Sequence, residues 1–384
     1  MKKHNEELNY STPDFYLLVV VYIILAAGIS MLYSASINVS RIAYNDQYYI
    51  FKAQLVWIGI GTILTLAAIN INYSFYQKYS RILIAGVLVL LIAVLFPQIG
   101  RKVSGSRSWI RISFFNIQPA EIAKLGLILY LGTMFSKKRF KAEKFFEGYL
   151  PPLIITTIVF FLILLQPDFG SGFLLLSIAG ILFFVSGIKI KYLLATFFAV
   201  LPFAYVLIFN VGYRKMRLLS FLNPWADPIN KGYHIIQSIK SFRIGGIAGV
   251  GLGKGIQKLY YLPQPHTDFI YSVIGEESGF IGTFIFFLLF VYMIYRGVKI
   301  TFNAPDKFSF FVSAGIVSMW SIQIFVNIAV TLGLLPVTGL PLPFVSYGGS
   351  SLLVNMFSVG IMLNISRFNR VKKRNLEVVN IYEE

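Results

Sequence analysis

A chain of 384 residues in which 57% are hydrophobic and 13% charged, with a mean hydropathy of +0.71, is too apolar for a soluble domain and reads as a polytopic membrane protein. Its net charge of +18 is scattered between the apolar runs rather than gathered on one polar module, so nucleic acid is not the expected partner and anionic lipid is. With no cysteine there is no disulfide framework and no thiolate chemistry, and any metal site must use oxygen or histidine ligands.

Taken in order, the polar start MKKHNEELNYSTPD gives way at Phe15 to an apolar run reaching about Leu32, too long for the core of a cleaved signal and read as a retained first helix. Runs long enough to cross a bilayer, about 20 residues each, lie near 15–35, 51–70, 81–97, 118–136, 149–165, 170–187, 192–211, 268–296, 308–332 and 345–365. They predict an all-α polytopic membrane protein of ten transmembrane helices. An even count puts both ends on one side, and the cations at Lys2, Lys3, Lys78, Arg81, Lys137, Lys138, Lys189, Arg296 and Lys307 make that side cytoplasmic. A large extracytoplasmic loop between helices 7 and 8, about 212–267, and a cytoplasmic tail, about 367–384, complete a single membrane domain over 1–384. Function is expected on the elaborate outer face.

Ionisable groups at membrane depth are the candidates for chemistry, because each is costly there. In QPAEIAK, Glu121 and Lys124 are three apart and share one helix face. They read equally as an internal ion pair fastening helix four or as a cation turned toward an anionic ligand. Asp168 in LLQPDFGSG follows the helix-stopping Pro167 and reads first as the cap of the next helix. Asp268, in LPQPHTDFIYSVIGEESG, could cap its helix together with Thr267; the adjoining His266 and two further acids favour instead a half-desolvated general base. Glu276 and Glu277, two turns deeper, are read as structural or tuning groups, one of them paired with a cation from another helix. The stretch GGIAGVGLGKG is not a phosphate loop, since Gly255 follows Lys254, but its amides could form an anion-binding nest with loop cations such as Arg214, Arg217, Arg243 and Lys258 nearby. An outward-facing cationic rim with one poised acid and no nucleotide machinery suits a greasy, anionic ligand such as a lipid-linked phosphate.

At these same residues the chain resembles the SEDS family of shape, elongation, division and sporulation proteins. The motifs that carry the resemblance are GSRSW at Gly105 to Trp109, QPAEIAK, QPDFG, NPWADP with GYHIIQS, YLPQPHTDFI with GEESG, and LPFVSYGGSS. They span nearly the whole chain, and NPWADP, QKL and HTDFIYSVIGEE are more similar to the division branch than to the elongation branch. The resemblance implies a peptidoglycan glycosyltransferase that polymerises lipid II and releases undecaprenyl diphosphate, in the bacterial inner membrane with its active site facing outward. It places the family's essential acid on Asp268 and its motif acid and lysine on Glu121 and Lys124. Arg107, Arg111, Arg214, Arg243 and His266 are further candidates for substrate contacts, and a divalent cation, Mg or Mn, could assist there. Two positions depart from the family pattern: the arginine of GSRSW sits one residue early, and Tyr260 stands where some division-branch members carry Glu. The implied partners are a class B penicillin-binding protein and division proteins. A lipid II flippase and a noncatalytic division scaffold are the rival readings; the motifs crowd one face, whereas alternating access leads one to expect related halves and midplane sites.

Overall fold

The structure, a computed structural model, describes residues 12–103, 105–112, 115–209, 212–230 and 232–368. Nearly all of the expected cytoplasmic tail lies outside the described residues. Each apolar run holds a helix: α1 (Phe15–Tyr44), α2 (Tyr49–Asn70), α3 (Tyr73–Ala93), α4 (Pro119–Phe135), α5 (Leu150–Leu164), α6 (Phe169–Val185) and α7 (Ile190–Phe209) precede the long loop. That loop carries α8 (Gly212–Leu222), α9 (Tyr233–Gly245) and α10 (Gln257–Tyr260), and α11 (Ile270–Phe302), α12 (Lys307–Thr331) and α13 (Gly349–Ser366) follow it. Among the described residues seven helices are long and apolar enough to cross a membrane: α1, α2, α3, α5 with the π-helical turn Phe145–Tyr149 before it, α11, α12 and α13. The chain is an integral membrane protein.

Helix ends follow local chemistry. Asp14 accepts the Leu17 amide at 2.9 Å to open α1, Pro119 occupies the first turn of α4, and Asp306 and Ser309 cap each other reciprocally at α12. Arg296 of α11 grips Asp14 through two nitrogens while the Asp14 amide donates to Ser366 at 2.9 Å, tying the ends of α1, α11 and α13 together. α4, α12 and α13 are buried on most faces and form the centre of the bundle. Along α2 and α13 the seam is so close that a Cβ on Gly360 would lie 2.6 Å from the Thr65 carbonyl oxygen. Interhelical hydrogen bonds stitch it: Thr65 to the Met356 carbonyl at 2.8 Å and Asn364 to the Ile69 carbonyl at 2.7 Å.

The wholly helical expectation needs one correction, and the long loop one refinement. The segment between α3 and α4 is a three-stranded antiparallel sheet, β1 (Gly100–Val103), β2 (Ser106–Ile112) and β3 (Phe115–Ile117), turned at Gly105 with φ 86°. A connector of this length still needs partners for its backbone amides and carbonyls, and pairing with itself supplies them. The long loop is also not irregular. α9 packs along α11 so tightly that a Cβ on Gly245 would sit 1.9 Å from the Gly275 carbonyl oxygen.

Beyond α9 the glycine-rich chain threads into a break in α11. Gly279 takes φ 64° and ψ −162°, which interrupts the helix. The ladder is re-closed from outside: Val250 and Gly251 donate to the Glu276 and Glu277 carbonyls at 3.0 Å each, while Phe280 and Ile281 donate to the Gly246 and Ile247 carbonyls at 2.9 and 3.2 Å. The side chains of Glu276 and Glu277 finish the junction. Glu276 accepts the Ile256 and Gln257 amides at 2.7 and 3.0 Å, the first donors of α10. Glu277 accepts the Gly253 amide at 3.0 Å and the Ser34 hydroxyl at 2.7 Å, and pairs with the buried ammonium of Lys258. The loop's amides therefore already hold anions, the protein's own two glutamates, and Lys258 answers Glu277.

Two stability predictions follow from this junction. Gly279→Ala puts a side chain at a positive φ and a Cβ 2.4 Å from the Gly249 nitrogen, so it should cost on the order of 2–4 kcal/mol. Gly180→Ala, where nothing lies within 4 Å, should leave thermal unfolding in detergent unchanged; equal melting of both variants would rule out the threaded junction. Lys258→Met leaves Glu277 buried without its cation and should cost about 3–5 kcal/mol. Adding Glu277→Gln to it should recover part of that loss in the same assay.

Candidate active site around Asp268

The segment from Tyr261 to Phe269 leads out of the junction into α11. Pro263 and Pro265 limit its conformations, and Gln264 turns it with φ 53°, its carbonyl accepting the Thr267 and Phe269 amides at 3.2 and 3.5 Å. Three successive carbonyls are then held from the far side of the bundle. His266 accepts the Tyr347 amide at 2.8 Å, Thr267 the Ser346 hydroxyl at 2.6 Å, and Asp268 the Asn327 side-chain amide at 2.9 Å. Asn327 also donates to the Leu340 carbonyl and Gln323 to the Pro341 carbonyl, at 2.8 and 2.9 Å, so α12 fixes both loops at once.

Fixing the backbone frees the Asp268 carboxylate. The capping position of α11 is Phe269, and no side chain caps that helix. The half-buried carboxylate faces Gly339, whose φ is 76° and where a Cβ would lie 3.7 Å from Asp268 Oδ2. Burial pushes the Asp268 carboxyl up to about 6, against the opposing pull of the Arg217 charge and the Thr267 hydroxyl. The same burial lowers His266 to about 4, so its imidazole is neutral at pH 7 and offers a hydrogen bond, not a cation. Its Nδ1 has no hydrogen-bond partner among the described residues. His234 on α9 stands with its ring 5.9 Å from Phe269 and is likewise held neutral by burial and by Arg217.

The other motifs converge on the loop that carries Gly339. Asp168 caps α6 through the Ser171 amide at 3.1 Å and accepts from Gln118 at 2.7 Å. A Cβ on Gly170 would lie 2.4 Å from the Thr338 carbonyl oxygen, so the start of α6 abuts that loop from the side opposite Asp268's own helix. The Gln118 amide donates to Ser350 at 3.0 Å, joining the start of α4 to the start of α13. Below Gln118 on α4, Lys124 and Glu121 form a fully buried pair at 2.8 Å, and Glu121 Oε2 has no hydrogen-bond partner among the described residues. Arg107 is committed elsewhere, donating to the Leu95 carbonyl at 3.2 Å beyond the end of α3. Arg111 is exposed on β2 and Arg243 is exposed in the last turn of α9. Arg214 lies on α8, its side chain outside the described residues.

Asp268, His266, Asp168 and Gln118 thus gather around one loop, whereas Glu276 and Glu277 belong to the junction behind it. Among the described residues no group of three or more His, Cys, Asp or Glu could hold a metal ion. With both glutamates engaged, the donor set does not fit a protein-bound divalent cation, and no step is derived through one. The sequence reading passed over Gln323, Asn327, Ser346 and His234, and gave Arg217 no role of its own. A signal for the two amides was present: Gln323 and Asn327 interrupt the apolar run SIQIFVNIAV four residues apart, on one helix face.

Comparison with known proteins shows the family. The FtsW/RodA/SpoVE family model, described as "cell cycle protein", matches residues 15–371. A probable peptidoglycan glycosyltransferase FtsW of Geobacter metallireducens is 41% identical over 365 residues, 94% of this chain and 97% of that protein. Stage V sporulation protein E of Bacillus subtilis is 40% identical over 360 residues, covering 94% and 98%. Among solved structures, one described as "structural coordination of polymerization and crosslinking by a peptidoglycan synthase complex" superposes with a TM-score of 0.77 at 30% identity, over 92% of this chain and 98% of that one. The crystal structure of the rod shape determining protein RodA of Thermus thermophilus gives 0.70 at 28% identity, over 94% and 98%. With a family model matched over nearly its full length and relatives this similar from end to end, the chain belongs to the FtsW/RodA/SpoVE family.

Proposed function

We propose that this protein is a peptidoglycan glycosyltransferase that polymerises lipid II, and that Asp268 is its general base. The observation that carries the reading is the state of that carboxylate: it is not spent on capping α11, its backbone is gripped from α12, and its pKa lies near 6. In the reaction Asp268 takes the proton of the 4-hydroxyl of an acceptor N-acetylglucosamine as O4 attacks C1 of the donor N-acetylmuramic acid. The C1–O bond to the diphosphate breaks with inversion from α to β, and undecaprenyl diphosphate leaves with the electron pair. Lys124, with its charge balanced by Glu121 below the Gln118–Asp168 contact, is the buried cation behind the site, and Arg217 is the cation whose field reaches Asp268. The names of the Geobacter and Bacillus relatives and the synthase complex support this reading.

The same reading makes residues 1–384 one membrane domain with ten spans, α1 to α7 and α11 to α13. The Phe15 end of α1 and the inter-helix lysines face the cytoplasm, and Asp268 faces outward. A class B penicillin-binding protein is the proposed partner, cross-linking the strands as they emerge during division.

Two measurements test it on protein reconstituted with such a partner and given lipid II. Asp268→Asn removes the base at almost constant size and should slow polymerisation by at least about 100-fold. Because the folded state raises this carboxyl's pKa, its ionisation opposes folding above the unfolded value, and the variant should melt no lower than wild type at pH 7. Polymer formed at the wild-type rate by the variant would remove Asp268 as base. The pH profile of the wild type should rise through pH 6, half-maximal near there and about nine-tenths complete one unit higher; an ascending limb centred near pH 4 would contradict a desolvated base.

A further inference from the structure

The turn between α1 and α2 holds a group of tyrosines that neither the bundle nor the proposed chemistry uses. α1 has 30 residues, about 45 Å at 1.5 Å per residue, against a hydrocarbon core about 30 Å thick. Its last third, ASINVSRIAY, therefore stands in the headgroup layer and above it. There Asn45 reverses the chain with φ 53°, and Asp46 accepts both the Tyr48 amide and the Lys52 ammonium at 2.9 Å. Tyr44 and Tyr49 stack with centroids 3.8 Å apart and 14° between planes. Tyr48 stacks on Tyr33 at 5.9 Å, and Phe51 meets Tyr33 edge-on. The rings are held in place yet uncovered: Tyr44, Tyr48 and Tyr49 keep 51%, 40% and 44% of their surface exposed.

This platform is wired to the Asp268 loop. Gln54, five residues after Tyr49 on α2, donates to the Ser346 carbonyl at 3.3 Å, and the Ser346 hydroxyl holds the Thr267 carbonyl. Tyr347 follows, its ring 6.0 Å from that of His266. From the opposite flank, Asn38 of α1 donates to the Leu259 carbonyl of α10.

We propose that Tyr44, Tyr48 and Tyr49 form a stacking subsite for a β-1,4-linked amino-sugar chain running between this turn and Asp268. The proposal rests on the glycosyltransferase reading and adds where the growing strand is held. Pyranose rings with equatorial substituents present flat C–H faces that lie against aromatic rings, and the exposed Arg41 and Gln47, each three residues from Tyr44, add polar groups to the same turn. A tyrosine belt that only anchors the helices at the membrane surface would neither bind a soluble saccharide nor set the length of the strand.

The test compares Tyr44→Leu/Tyr49→Leu with Tyr44→Phe/Tyr49→Phe in the full-length protein with its transpeptidase partner. The leucine pair keeps apolar bulk and loses the flat faces; the phenylalanine pair keeps both. With lipid II, the leucine pair should make strands severalfold shorter on gels at equal lipid II consumed, and the phenylalanine pair should match wild-type lengths. Independently, the soluble β-1,4 N-acetylglucosamine hexamer, followed by saturation-transfer NMR, should bind wild type and the phenylalanine pair and bind the leucine pair roughly tenfold more weakly. Wild-type strand lengths from the leucine pair, or hexamer binding equal in all three proteins, would overturn the subsite. Absence of polymer from wild type would overturn the enzymatic reading instead, and the hexamer experiment would still decide the subsite.

Discussion

Non-helical backbone in a membrane bundle must find every hydrogen bond inside the protein, because lipid supplies none. That constraint shapes everything near Asp268. Where α11 breaks at Gly279, the glycine-rich loop supplies the missing partners; where the chain leaves the loop at His266 to Asp268, Tyr347, Ser346 and Asn327 donate to three carbonyls in a row. Both solutions are reciprocal. The element that satisfies the backbone is itself positioned by it, so the two loops and α12 form one rigid frame.

Within that frame the acids divide by what surrounds them. Glu276 and Glu277 are fully buried and each receives amides; Glu277 also has a cation. Their charges are consumed holding the fold. Asp268 has its backbone satisfied instead, and its carboxylate is left with a threonine hydroxyl, a distant arginine and an apolar neighbourhood. The first two carboxylates are spent on backbone amides, whereas burial raises the Asp268 carboxyl, so neighbouring acids come to stand in different environments.

The parts of this arrangement that depend on neighbours in sequence were legible beforehand. The spacing of Glu121 and Lys124 anticipates an ion pair, the position of Asp168 behind Pro167 anticipates a cap, and the apolar runs anticipate the helices in chain order. What was not legible depends on distant segments. Lys258 sits in a loop of scattered cations, and only the fold brings it to Glu277 and Ser34. The loop amides were open to any anion on sequence grounds, while the structure fills them from within. Strands of three to seven residues beside apolar helices carry too little periodicity to be seen, and whether Asp268 caps α11 turned on a single residue, Phe269, taking the capping position.

The break at Gly279 has a mechanical meaning. A continuous helix of 33 residues would be a stiff rod whose outer end could not move without its inner end. Here the rod is cut, and the cut is bridged by the chain leaving α9. The first two turns of α11, which begin two residues after Asp268, are therefore carried by α9 as much as by the rest of α11. The chain leaving α9 thus grips both sides of the cut through four backbone hydrogen bonds of 2.9–3.2 Å, while the far end of α11 is anchored separately by Arg296 and Asp14.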